Sequence, residues 1–137
     1  WVAKLASKNT LKTNLKNIYY DPSKIGQSEI NEIWHMMNFN QGKKVIAKIS
    51  RYTFERKLFW FRWVGALQNT QIPIEIIWTD KDPIAVPQMA ELIKQETKNS
   101  RLIWLPNLGH FPMLEQPKQW LDCLMLSLDR FSSKELK

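Results

Sequence analysis

Two side chains of this sequence could move protons together. Asp82 lies in the turn Thr79-Asp80-Lys81-Asp82-Pro83, and His110 follows Asn107-Leu108-Gly109. A carboxylate that accepts one imidazole N–H fixes the ring's tautomer and stabilises its charged form. The other ring nitrogen can then take a proton from a nucleophile or a water. Asp82 and His110 would supply the acid and the base of such a constellation. The residues alone leave a second reading open, in which Asp82 caps a turn and His110 is only a loop residue. Asp80 is an alternative acid.

The flanking pattern says how the pair could be positioned. Ile72 to Trp78 is an apolar, β-branched run broken by Pro73 and Glu75, as a mostly buried strand would be. Pro87 can open a helix, with Met89, Leu92, Ile93 and Glu96 at helical spacing. Leu102 to Leu105 is a second apolar run. Strand, helix, strand with so long a crossover predicts a parallel pair. Asp82 and His110 would then leave the same edge of one sheet, where open α/β sheets hold their ligands. Parallel strands lie about 4.8 Å apart, so a carboxylate–imidazole hydrogen bond of roughly 2.6–3.2 Å is within reach.

Taken together, these residues resemble the C-terminal part of the α/β-hydrolase fold. The matching positions are Ile72-Pro73, Trp78, Asp82-Pro83, Gly109-His110-Phe111-Pro112 and Glu115-Gln116-Pro117, within about Ile72 to Leu128. Thr79 departs from the pattern, which more often has Gly there. The run Arg62 to Leu67 before Ile72-Pro73-Ile74, and Gln27 to Ile30 with Trp34 after it, look like the mesoderm-specific-transcript-like branch, near the epoxide hydrolases and haloalkane dehalogenases. That extends the resemblance to about Asp21 to Leu128.

The resemblance implies an α/β fold with a helical lid over residues 1–69 and the C-terminal part of the core over residues 70–137. It implies Asp82 as acid, His110 as base and a nucleophile upstream of residue 1, an Asp in that branch. Tyr52 and Phe111 are the candidate substrate contacts, for a small, apolar substrate. An aromatic of the lid, from Tyr52 or the run Phe59 to Trp63, is expected to face the pair. With 137 residues and Trp1 first, the chain reads as a C-terminal piece whose N-terminal half is its missing partner, inactive alone. From another class comes a hydrolase-like binding protein in which Asp82 and His110 are relics. The residue at an upstream nucleophile elbow would separate the two.

Composition narrows the alternatives. The chain is 44% hydrophobic and 24% charged, enough for one ordinary core. Net charge is +7, but the 20 Lys and Arg are spread along the chain and form no nucleic-acid motif. A solvated basic surface is the expectation, with association to a membrane surface left open. Four glycines make no phosphate-binding loop. The two His and single Cys are too dispersed for a zinc site, so no metal and no cofactor are expected. Cys123 has no disulfide partner in the chain, which fits a reducing, cytoplasmic setting. No apolar run reaches the ~18 residues of a spanning helix.

Along the rest of the chain, Trp1 to Asn17 shows only weak helical character, with Val2, Leu5, Leu11, Leu15 and Ile18 as its apolar residues. Tyr19 and Tyr20 read as anchors of a loop. Ser28 is the expected cap of a helix from Glu29, with Ile30, Ile33, Trp34 and Met37 on one face and Gly42 as its stop. A longer helix is expected over Lys43 to Trp60, with Val45, Ile46, Ile49, Tyr52, Thr53 and Arg56 inward. Its aromatic end, Phe54 and Leu58 to Trp63, reads as a core stripe before a pocket wall. Pro117 should open a last helix with Trp120, Leu121, Leu124, Leu128 and Phe131 on its apolar face.

Overall fold

The structure, a computed structural model, describes residues 7–135. Val2 and Leu5, read above as part of a weak apolar pattern, lie outside them. Five helices come first: α1 (Lys8–Ile18), α2 (Gln27–Asn38), α3 (Gly42–Ile49), α4 (Tyr52–Leu58) and α5 (Trp60–Asn69). Then follow β1 (Ile74–Thr79), α6 (Pro87–Glu96), β2 (Ser100–Leu105), the single turn α7 (Pro112–Glu115) and α8 (Pro117–Glu135). The two strands pair in parallel, from Ile74 opposite Ser100 to Thr79 opposite Leu105. Both strands therefore end level with each other, and the loops carrying Asp82 and His110 rise from the same edge.

The first helix is firmer than its composition suggests. The Ser7 hydroxyl accepts the Thr10 N–H at 3.1 Å and caps α1. Leu11 and Leu15, one turn apart, are buried with Tyr19, Ile25 and Ile30 in a core that α2 completes. Tertiary burial thus overrides the weak propensity of a Lys- and Asn-rich segment. Of the two tyrosines only Tyr19 is an anchor; Tyr20 is 48% exposed.

Three local expectations are corrected. Gly26, not Ser28, caps α2, and the Glu29 carboxylate reaches back to accept the Gly26 N–H at 2.6 Å. Gly42 does not stop that helix but opens α3. The reversal falls to Asn40 and Gln41, at φ 43° and 60°, and a Cβ on Gly42 would lie 2.5 Å from the Met37 carbonyl oxygen. The long helix expected over Lys43 to Trp60 is three shorter ones. Between α3 and α4 the Ser50 hydroxyl donates to the Ile46 carbonyl at 2.8 Å, a local bond that competes with helix continuation.

The burial of those helices is corrected too. Val45, Ile49, Tyr52, Phe54, Leu58 and the aromatic run Phe59 to Phe61 are exposed, not core. On α8 the inner face is Trp120, Cys123, Leu124, Ser127 and Phe131, while Leu121 and Leu128 face outward. Ile76 and Leu105 of the strands, Ala90 of α6 and Leu108 of the loop after β2 are buried as well. No helix among the described residues is long and apolar enough to cross a membrane.

Candidate active site

The sheet edge is a knot of backbone hydrogen bonds. The Asp80 N–H donates to the Leu105 carbonyl at 3.3 Å, and the Lys81 N–H to the Leu108 carbonyl at 3.2 Å. The Asp80 carboxylate accepts the Asn107 N–H at 2.7 Å, where Asn107 takes φ 58°. Asn tolerates that left-handed turn better than most residues. The Thr79 hydroxyl, at a buried strand end, donates to the Gly109 carbonyl at 2.9 Å. Thr79, the departure from the resembled pattern, here ties the loop of Asp82 to the loop of His110. Asp80 has this structural duty and is not within the His110 pair.

Asp82 Oδ1 accepts the N–H groups of Ile84 and Ala85, at 2.8 and 2.9 Å. That holds the carboxylate in its turn with Oδ2 turned outward. His110 Nδ1 lies 2.8 Å from Asp82 Oδ2. With Nδ1 carrying the proton, it donates to Asp82, and Nε2 keeps its lone pair free. Asp82 is buried and the His110 side chain is 32% exposed, so the imidazole stays reachable while the carboxylate is shielded. The Phe111 ring meets the imidazole edge-on, with centroids 5.0 Å apart.

A third residue holds the His110 loop in position, and its type alone did not reveal it. Glu115 is 4% exposed. Its Oε1 accepts the Gly109 N–H at 2.9 Å, and its Oε2 accepts the N–H groups of Tyr20 and Asp21, at 3.1 and 3.5 Å. The His110 N–H donates to the Ile18 carbonyl at 2.8 Å. The end of α1 and the His110 loop are thus bonded backbone to backbone. A Cβ on Gly109 would come within 2.5 Å of Ile18 O and Tyr20 N, so only glycine admits this approach. The signal in the sequence was the Glu115-Gln116-Pro117 motif, quoted above without a role.

Of the two expected substrate contacts, Phe111 lies beside the imidazole and Tyr52 lies in a different hollow. A hollow of about 250 Å³ at the pair is lined by Trp78, Ala85, Pro112, Met113 and Trp120, among others. Tyr52 lines a separate depression with Glu55, Arg56 and Trp63. Phe111 packs against the α1–α2 core and meets Tyr19 edge-on at 6.3 Å. The ring on the imidazole is therefore its chain neighbour, not an aromatic of the expected lid. Among the described residues, no group of three His, Cys, Asp or Glu side chains could hold a metal.

This architecture is that of the C-terminal part of the α/β-hydrolase fold. The chain superposes on Cfl2 from Burkholderia cenocepacia with a TM-score of 0.70 at 19% identity, covering 90% of this chain and 40% of that one. On the serine hydrolase CarC of carbazole degradation the TM-score is 0.66 at 17% identity, covering 90% and 47%. In sequence it is 35% identical over 107 residues to the mesoderm-specific transcript protein of Mus musculus, which is 77% of this chain and 32% of that protein. It is 24% identical over 123 residues to the putative hydrolase LipZ of Mycobacterium tuberculosis, covering 90% and 43%. The chain thus spans about a third of the one and under half of the other of these two relatives. No protein-family model matches it.

Proposed function

We propose that this chain supplies the acid and the base of an α/β-fold hydrolase, with the nucleophile on residues outside it. The observation that carries the reading is the 2.8 Å contact between His110 Nδ1 and the buried Asp82 carboxylate at the sheet edge. The relatives named as hydrolases agree in kind. His110 Nε2 takes the proton of the attacking hydroxyl or water, and Asp82 stabilises the imidazolium that results. If the nucleophile is a serine, the reaction is acyl transfer to water. If it is an aspartate, as in the epoxide-hydrolase-like branch, an ester forms at carbon and a water activated by His110 cleaves it. Residues 1–69 act as the lid and 70–137 as the end of the core. The substrate is small and apolar, in keeping with Trp78, Met113 and Trp120 around the pair. Phe111 acts through the imidazole, holding its plane.

The test uses the complete protein and a panel of aryl esters and epoxides. His110→Ala and Asp82→Asn should each lower kcat by roughly 10³–10⁴-fold with the fold intact by circular dichroism. Turnover close to that of the unaltered protein in either variant would sink the reading. An unaltered complete protein that turns over none of these substrates would instead favour the binding protein with a relic pair.

A further inference from the structure

The strip from α3 into α5 differs from the rest of the molecule. Every residue from Lys48 to Trp63 is exposed. Ile49 is 61%, Phe54 71%, Leu58 69% and Trp60 61% exposed. α4 turns no buried face to the rest of the chain. A helix of seven residues without a buried face is not stable by propensity alone, and so large an exposed apolar surface marks an interaction site. The same strip concentrates the charge. From Gly42 to Trp63 there are seven Lys and Arg against one acid, Glu55, a net +6 of the chain's +7. Among the described residues, none of these seven is ion-paired with a carboxylate; the basic residues that are so paired lie elsewhere.

We propose that this helical strip docks on an anionic lipid bilayer surface. Short amphipathic helices lie in the plane of the interface with apolar side chains in the acyl boundary and Lys and Arg among the headgroups. Tryptophan favours the headgroup level, which suits Trp60 and Trp63. Lysines and arginines not neutralised by a carboxylate among the described residues supply the attraction to anionic lipid. On α3 the pairs Val45/Ile49 and Lys44/Lys48 each stand one turn apart, an apolar row beside a basic row. A nucleic acid would use the cations and stack on the aromatics, but it has no use for exposed Val45, Ile49 and Leu58. The inference rests on this surface and is independent of the catalytic role of His110.

Flotation of the whole chain with vesicles tests it at physiological salt. Phosphatidylcholine vesicles containing phosphatidylserine should bind at least about tenfold more tightly than phosphatidylcholine alone. Lys44→Glu/Lys48→Glu should weaken that binding by about tenfold or more, as should Trp60→Ser/Trp63→Ser. Leu121→Ser/Leu126→Ser, at exposed positions of α8, should leave it unchanged. Brominated acyl chains should quench tryptophan emission, and less so in Trp60→Phe/Trp63→Phe. All of these positions are exposed, so circular dichroism should be the same in every variant. Equal binding to neutral and anionic vesicles, or loss only with the α8 variant, overturns the proposal. So does absence of vesicle binding, whether the strip instead captures an RNA oligonucleotide or a second copy of the chain.

Discussion

The loops around His110 and the helices α3 to α5 meet the same physical demand in opposite ways. Around His110 the polar backbone is enclosed and paired: Gly109, Tyr20 and Asp21 give their N–H groups to Glu115, and Asp80 takes that of Asn107. Such bonds are formed by groups this chain itself contains. In α3 to α5 the backbone is satisfied within each helix, but the apolar side chains find nothing to cover them. Hydrogen bonds close locally, whereas hydrophobic burial needs area from elsewhere. One region is therefore closed by its own groups, and the other leaves most of its apolar side chains exposed.

The sharpest way to break this contrast is at Glu115. Glu115→Ala leaves at least two enclosed N–H groups without an acceptor, and should cost about 2–4 kcal/mol in urea unfolding. In the complete protein, turnover should fall with it, because the His110 loop loses its clamp. An unchanged unfolding midpoint would mean that water replaces the carboxylate and that the region is less enclosed than described. Gly109→Ala comes next. The new methyl meets backbone atoms at 2.5 Å, and the end of α1 must move away, for about 1–3 kcal/mol. A loss as small as a surface substitution gives would show that the contact between α1 and the base loop is loose.

A smaller effect is tied to pH. Burial, with Glu29 and Glu115 nearby, pushes the Tyr19 phenol up to about 12 from its ordinary 10.0. Its hydroxyl is buried without a hydrogen-bond partner. The unfolded chain releases this proton near 10.0, and the folded chain holds it until about 12. Stability from this group is therefore fully present below pH 10 and is lost as pH rises from 10 to about 12. Tyr19→Phe should remove that part of the alkaline loss while changing little at neutral pH, as read by unfolding at several pH values. An identical alkaline profile in the variant would assign the loss to other groups. The smallest effect is expected in the other region. Phe54→Ser and Phe61→Ser, at 71% and 60% exposure, should each shift stability by no more than about 0.5 kcal/mol. A larger loss would show that these rings are packed in solution, and the contrast would fail.

Much of the sheet edge was legible beforehand because its determinants are local. Turn residues after two apolar runs put Asp82 and His110 past strand ends, and β1 and β2 begin and end within two residues of the runs read from the sequence. Pro87 and Pro117 open α6 and α8 as their ring geometry favours. The clamp at Glu115 was not legible. Its partners Tyr20 and Asp21 stand 95 and 94 positions away, and no spacing rule joins groups so distant. Tyr52 was assigned to the site from its helix alone, and a residue's helix does not say which hollow that helix borders.

By itself the sequence determined the kinds of element, their order and the strand ends past which Asp82 and His110 lie. Periodicity and turn chemistry act over a few residues. Only the tertiary structure decided which apolar faces became interior. Both α2 and α3 carry apolar residues at helical spacing, yet Ile30 is 1% exposed and Ile49 is 61% exposed. A hydrophobic period states that a face would gain from being covered. Whether it is covered depends on a second surface of matching shape, and that information lies elsewhere than in the helix.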